Sequence, residues 1–172
     1  MKNVVLVKPE YDDLWFRQKV MSDSESMAYN AGYDVSYSGY HYETGCIDFP
    51  ESEWMGFCEK LKNENFFYAY IKDCDSGEFV GYLNFKKDEE GVASMGIVIY
   101  SLFRGMGYMR PAMQQLIKKA KECGVKKLTD SVPLSRESAL KVFYDMGFVC
   151  EEIIEGRKFG KVDKVAMIGF CL

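Results

Sequence analysis

The chain has 172 residues, 48% hydrophobic and 28% charged, which suits one folded domain with a core of its own and excludes a disordered or fibrous chain. Its formal net charge of -4 argues against a protein that grips phosphate backbones, so no nucleic-acid partner is expected, although a local basic patch can still hold one anion. Six cysteines without a C-x-x-C pair, and a single histidine, His41, give no metal-ligand set. The thiols read as reduced and mostly buried, and no metal is expected.

In chain order, Val4–Val7 is a short apolar run. It is too brief for a signal peptide or a membrane span, so no membrane association and a cytoplasmic location are expected. Tyr11–Met21 reads as a helix, ended by Ser22-Asp23-Ser24, a break with capping potential. Residues 30–49, rich in Tyr, Gly, Ser and Asp, show no period and read as a long loop. Pro50 opens a helix to about Lys62, with Trp54, Phe57, Cys58 and Leu61 on one stripe. Phe66–Ile71, Phe79–Phe85 and Val92–Tyr100 are strands separated by the turns Asp75-Ser76-Gly77 and Asp88-Glu89-Glu90-Gly91, which predicts an antiparallel meander. After a loop over 101–107, a helix to Cys123 carries Met109, Ala112, Met113, Leu116, Ile117 and Ala120 on one face. Lys127–Val132 is a strand. A helix capped by Ser135 runs to Met146, stopped by Gly147, and Phe148–Ile154 and Val165–Cys171 close the chain as strands. The fold class is therefore α/β (α+β): a mixed, mostly antiparallel twisted sheet of about seven strands with helices on both faces.

The chemistry is concentrated at Ile97-Val98-Ile99-Tyr100-Ser101-Leu102-Phe103-Arg104-Gly105-Met106-Gly107-Tyr108, where a strand passes through a glycine loop straight into a helix. The first turn of a helix has unpaired N–H groups and a positive dipole end. Gly105 and Gly107 remove side chains that would block an approaching phosphate, and Arg104 adds a positive charge. Taken alone, the same glycines also fit an ordinary tight turn. A Rossmann fingerprint is excluded because Arg110 stands where its third glycine is needed, and the P-loop's Lys-Ser or Lys-Thr is absent.

Arg104-Gly105-Met106-Gly107-Tyr108-Met109 resembles the Arg/Gln-x-x-Gly-x-Gly/Ala motif of the GNAT N-acetyltransferase superfamily. Met95–Tyr100 is similar to the family's fourth strand, and Ser138–Phe148, ending in Gly-Phe, to its later helix. The nearest pattern is that of the ribosomal-protein N-acetyltransferase-like branch. The resemblance is good over residues 65–155 and weak before them. It implies a single domain: a strand, helices and acceptor-site loop over 1–64, a cofactor-binding core over 65–155, and a C-terminal strand over 156–172. It also implies acetyl-CoA as cosubstrate. The N–H groups of Gly105, Met106, Gly107, Tyr108 and Met109 would hold its pyrophosphate, beside Arg104. The backbones of Ile97, Ile99 and Tyr100 would lie along its pantetheine arm, and Arg136, at the family's frequent Asn position, would reach a phosphate or stay solvated. A primary amine, on a small molecule or a protein N-terminus, would attack directly in a ternary complex. A homodimer is left open.

The departures are equally specific. The family's tyrosine acid aligns with Phe143, so adjacent Tyr144 is the substitute candidate. The branch's glutamate aligns with Ser94, a poor base, and Glu90 or Glu89 could act only through water. Tyr29, Tyr33, Tyr37, Tyr40, His41 and Tyr42, with Asp34 and Asp48, would either wall a site for a cationic amine or pack the loop. With tyrosine and glutamate both missing, a non-catalytic acyl-CoA-binding sensor or partner module is the alternative.

Overall fold

The computed structural model describes residues 2–172. Seven strands form one sheet in the order β1-β2-β3-β4-β5-β7-β6, with β1 Val4–Val7, β2 Phe66–Asp73, β3 Phe79–Lys87, β4 Val92–Ile99, β5 Lys127–Pro133, β6 Val149–Lys158 and β7 Lys161–Cys171. Every pairing is antiparallel except β4 with β5. That parallel ladder holds only three pairs, Val92–Lys127, Ala93–Leu128 and Ser94–Thr129.

The two faces of the meander carry different chemistry because side chains alternate along a strand. One face presents Ala69, Ile71, Leu83, Phe85, Ala93 and Met95. It buries against α4 (Met109–Glu122) through Ala112, Met113, Leu116 and Ala120, and against α5 (Glu137–Asp145) through Leu140 and Phe143. The other face presents Tyr68, Tyr70, Tyr82, Val98 and Tyr100. These pack with Leu14, Phe16 and Val20 of α1 (Leu14–Met21) and with Trp54 and Phe57 of α3 (Trp54–Lys60). Tyr70 is saturated there: its hydroxyl donates to the Asp13 carbonyl (3.0 Å) and accepts the Arg17 N–H (3.1 Å).

Several boundaries differ from the sequence expectation. A short α2 (Ser24–Met27) follows α1, capped as anticipated by Asp23, whose carboxylate accepts the Ser26 N–H at 2.9 Å. The last helix starts two residues beyond Ser135, with Arg136 at its N-cap and no side-chain cap. The largest difference is the final hairpin, which runs unbroken from Val149 to Cys171 around a turn at Phe159-Gly160. Its outer half is charged on both faces, so it carries no hydrophobic alternation to read. Both turn residues have positive φ (51° and 70°), the mirror-image turn whose twist matches a hairpin. The tip folds back onto the tyrosine loop. Phe159 N–H donates to the Gly32 carbonyl (2.7 Å), and Lys158 Nζ reaches the carbonyls of Ala28 and Tyr29 (3.3 Å each). A Cβ on Gly32 would stand 2.6 Å from the Phe159 ring, which is why that position has none.

The start of α4 is fixed by a buried contact. The Tyr108 hydroxyl donates to the Asp73 carboxylate at the end of β2, and Lys2 sits 3.5 Å from the same carboxylate. The Tyr108 hydrogen bond, the Asp75 N–H and Lys2 hold the Asp73 carboxyl below its ordinary range. A depressed carboxylate contributes stability above its unfolded pKa and loses it as pH falls through the folded value. Tyr108→Phe is therefore expected to lower the urea midpoint at pH 7, with the deficit shrinking as the pH is taken below about 4.

Candidate active site

Beyond Ser94–Thr129 the β4 and β5 strands separate, and the gap opens into two cavities that meet there. The first, about 430 Å³, lies between β4, the start of α4 and the face of α5 carrying Ser138, Ala139, Val142 and Phe143. The second, about 370 Å³, lies on the tyrosine face beneath α1, α2 and the tyrosine loop. Tyr29, Ile97, Val98, Asp130 and Arg136 line both.

The glycine loop forms one end of the first cavity. Gly105 and Gly107 have φ of 73° and 86°, a region that favours glycine, and no protein atom lies within 4 Å of where a Cβ would stand on either. Among the described residues, no protein acceptor takes the N–H groups of Gly105, Met106, Gly107, Tyr108, Met109 or Arg110, whereas Arg104 N–H bonds Ser101 and Ala112 N–H bonds Tyr108. Pro111, the third helical residue, has no N–H to leave unpaired. An unbroken run of donors at a dipole's positive end therefore faces an open glycine surface, which is an anion cradle.

The predicted cofactor residues divide. Ile97, Ile99, Arg104, Gly105, Gly107, Tyr108, Met109 and Arg136 line the first cavity; Tyr100 and Met106 do not. Tyr100 donates its N–H to Val80 and gives its carbonyl to Phe103, so its backbone is already committed, contrary to the expectation that it would pair with a ligand. The ladder explains this. Tyr100 and Val92 bond toward β3, which directs the alternating odd positions, including Ile97 and Ile99, toward the side β5 has vacated. The Met106 side chain is exposed, leaving only its N–H for the cradle. Arg104 is spent on the protein itself: its guanidinium donates to the carbonyls of Glu25 (2.8 Å), Ser26 (2.7 Å) and Ile99 (3.2 Å). Together with Ser101 N–H on Ser26 Oγ (2.8 Å), it fastens α2 to the loop and so sets Tyr29 over the junction.

The predicted catalytic residues do not converge. Tyr144 is exposed on the far side of α5, while Phe143, one position back, faces the cavity; the roughly 100° between neighbours on a helix was too much to recover. Glu90 lies in the exposed β3–β4 turn, its N–H bonded to Asp88, with the whole of β4, about 26 Å of strand, between it and Ile99. Ser94 shares a face with Gly96 and Val98 but is exposed outside both cavities. His41 pairs with Asp48 (2.8 Å) in the outer loop, and neither these two nor Asp34 lines the second cavity.

Three polar side chains occupy the junction instead. Asp130 is the first β5 residue past the parallel ladder. Burial pushes its carboxyl up from 3.8 to about 6, against the pull of the Ser131 N–H (2.8 Å) and Arg136. Burial likewise raises the Tyr29 phenol well above its ordinary value, keeping it protonated. The Arg136 guanidinium lies 5.4 Å from the Tyr29 ring, and burial followed by the charge of Arg104 lowers its pKa. Asp130 was findable in the sequence. On a strand it shares a face with Leu128 and Val132, and an acid at a core-facing position is a functional signal.

A profile of the acetyltransferase (GNAT) family matches residues 28–148. The chain belongs to that family. No curated protein matches it. Among solved structures, this GNAT chain resembles spermidine N-acetyltransferase from Vibrio cholerae in complex with CoA and spermine (16% identity, 98% of this chain and 95% of that one, TM-score 0.79). It also resembles a GNAT-family acetyltransferase from Streptococcus pneumoniae (17%, 99% and 100%, TM-score 0.78) and yncA of Salmonella typhimurium with its cofactor acetyl-CoA (13%, 99% and 94%, TM-score 0.76). At these identities the likeness establishes the fold.

A carboxyl whose folded pKa exceeds its unfolded value costs stability once it ionises. Asp130→Asn is therefore expected to stabilise the protein at pH 8, by up to about 3 kcal/mol, and to make no such difference near pH 4, as read by chemical denaturation at the two pH values.

Proposed function

We propose that this GNAT protein transfers an acetyl group from acetyl-CoA to a primary amine held in the second cavity. The observation that carries the proposal is the run of unpartnered N–H groups over the open glycines of residues 105–109, in a cavity that meets a second one at an ionisable side chain. Those donors would hold the pyrophosphate of acetyl-CoA, and the ladder-free edge of β4 at Ile97 and Ile99 would pair with the pantetheine arm. When bound, acetyl-CoA supplies a thioester carbonyl carbon at the junction.

Asp130 is the proposed general base. An amine attacks only when uncharged, and its nitrogen becomes strongly acidic as the N–C bond forms, so a carboxylate with a pKa near 6 can take that proton. Whichever N–H of Ile97 or Ile99 the pantetheine arm leaves free is the donor for the carbonyl oxygen as charge develops on it. The C–S bond then breaks, leaving an amide and a thiolate, and the protonated Tyr29 phenol is the hydroxyl at the junction able to donate to the sulfur. Asp130 and Tyr29 thus fill the roles that Ser94, Glu90 and Tyr144 do not reach.

The test is direct. Acetyl-CoA at millimolar concentration should raise the melting temperature, and amine-dependent release of free CoA should follow. The kcat/KM should climb with pH through a limb near 6 that disappears in Asp130→Asn, together with a loss of 10²-fold or more in rate, roughly the contribution of a general base. Absence of a thermal shift would remove the reading. A shift without turnover over a broad amine panel would leave an acyl-CoA-binding module.

A further inference from the structure

The second cavity contains a cation that the protein does not neutralise. Arg17 lies on the buried stripe of α1, one turn from Leu14 and one from Met21. Its guanidinium carbon stands 4.4 Å from the ring centre of Phe57, 5.0 Å from Phe49, 5.1 Å from Tyr68 and 5.6 Å from Tyr82. Among the described residues, no carboxylate lies within 4.0 Å of it, and its Nε is buried without a hydrogen-bond partner. Arg110 pairs with Asp145 and Arg104 donates to three carbonyls; Arg17 is ringed by aromatic faces and opens into the cavity, where Arg136 is a second guanidinium. Arginine stays protonated in proteins, and a charge taken out of water without a partner is costly. Aromatic faces offset part of that cost, but they leave the planar N–H fork unused.

We infer that the acceptor is an amino acid: its carboxylate docks on the Arg17 fork while its amino group meets Asp130 at the junction with the first cavity. The inference rests on the acetyl-transfer reading above and names the substrate class of that site. The cavity's charged walls are Arg17, Arg136 and Asp130, an excess of positive charge that opposes a polyamine and suits a zwitterion. Asn84 adds a neutral polar contact on the floor, where the absent side chain of Gly96 leaves it room: a Cβ there would sit 3.2 Å from the Asn84 amide nitrogen. Met21, Met27 and Ile47 add an apolar stretch, and Asn30, Tyr33 and Ser131 are polar but uncharged, so the wall outside the three charged residues suits an uncharged side chain. The guanidinium fork fits a carboxylate by two parallel hydrogen bonds, which a lone ammonium or amide oxygen on the acceptor cannot reproduce. The acidic residues of the tyrosine loop, expected from the sequence to receive a cationic amine, stay outside the cavity.

The experiment compares matched acceptors on the full chain with acetyl-CoA, following the acetylated product by mass spectrometry: neutral amino acids, their amides, their decarboxylated amines, and spermidine. The free amino acid should exceed its amide by about 100-fold in kcat/KM. Arg17→Met should cut the amino-acid rate by a similar factor while leaving the amide within about threefold and the KM for acetyl-CoA unchanged, and Arg17→Lys should restore part of the loss. An amide or polyamine acetylated as well as the acid, or an Arg17→Met variant that slows acid and amide equally, would overturn the inference while acetyl transfer stands. Calorimetry of amino acids in the presence of CoA needs no turnover. Arg17-dependent binding without any acetylated product would uphold the carboxylate site and overturn the catalytic reading, and no binding of any amino acid to the wild type would overturn the site.

Discussion

β4 and β5 are joined by three residue pairs and no more, and both cavities exist because the ladder stops where it does. A parallel pair normally continues until a loop intervenes, satisfying each backbone group in turn. Here the strands part while both are still extended, so the β4 edge at Ile97 and Ile99 has no strand neighbour on that side, although the Ile99 carbonyl takes Arg104, and Asp130 faces a gap instead of another strand. Backbone groups left open in this way are costly inside a protein unless a ligand or water meets them. The rest of the molecule holds the gap open: α4 and α5 brace one side, and the tyrosine-faced helices brace the other.

The two sides of the sheet divide the work. The aliphatic side seats α4 so that its N-terminus, the Tyr108–Asp73 contact and the glycine loop arrive at one place. The aromatic side surrounds a guanidinium with rings and supports a polar cavity above them. Arg104 links the sides by holding α2 to the loop before α4, and the tip of the β6–β7 hairpin holds the same segment from beyond. The half-buried Asp130 and Arg17 both work against the fold that surrounds them, and both open onto the second cavity. Local rules of folding are broken most readily where function needs them broken.

The readable parts of the sequence were those whose physics is local. The meander, the amphipathic helix over 109–122 and the glycine loop follow from period, turn residues and the geometry of a helix start. The β6–β7 extension was not readable, because Glu155, Arg157, Lys161 and Lys164 are exposed, leaving no hydrophobic alternation, and pairing alone makes them strands. Asp130 and Arg17 stood on core-facing stripes of elements the sequence did reveal, so the signal was present, in the form of charges where apolar residues belong.

The sequence by itself determined the order of elements and the cradle, because unpaired helix donors and positive-φ glycines depend only on neighbouring residues. It also showed a phenylalanine, Phe143, where the resemblance implied a tyrosine. Which groups stand at the junction of the two cavities was decided only by tertiary structure. Tyr29 comes from one stretch of chain, and Asp130 and Arg136 from another about a hundred residues on, and the place at which β5 leaves β4 brings them together. Tyr144 and Glu90 were close to the motifs in sequence and fell outside the cavities, because one step along a helix turns a side chain by about 100° and one strand's length carries a residue to the far end of the sheet; Ser94 fell outside because it stands within the β4–β5 ladder, before the strands part.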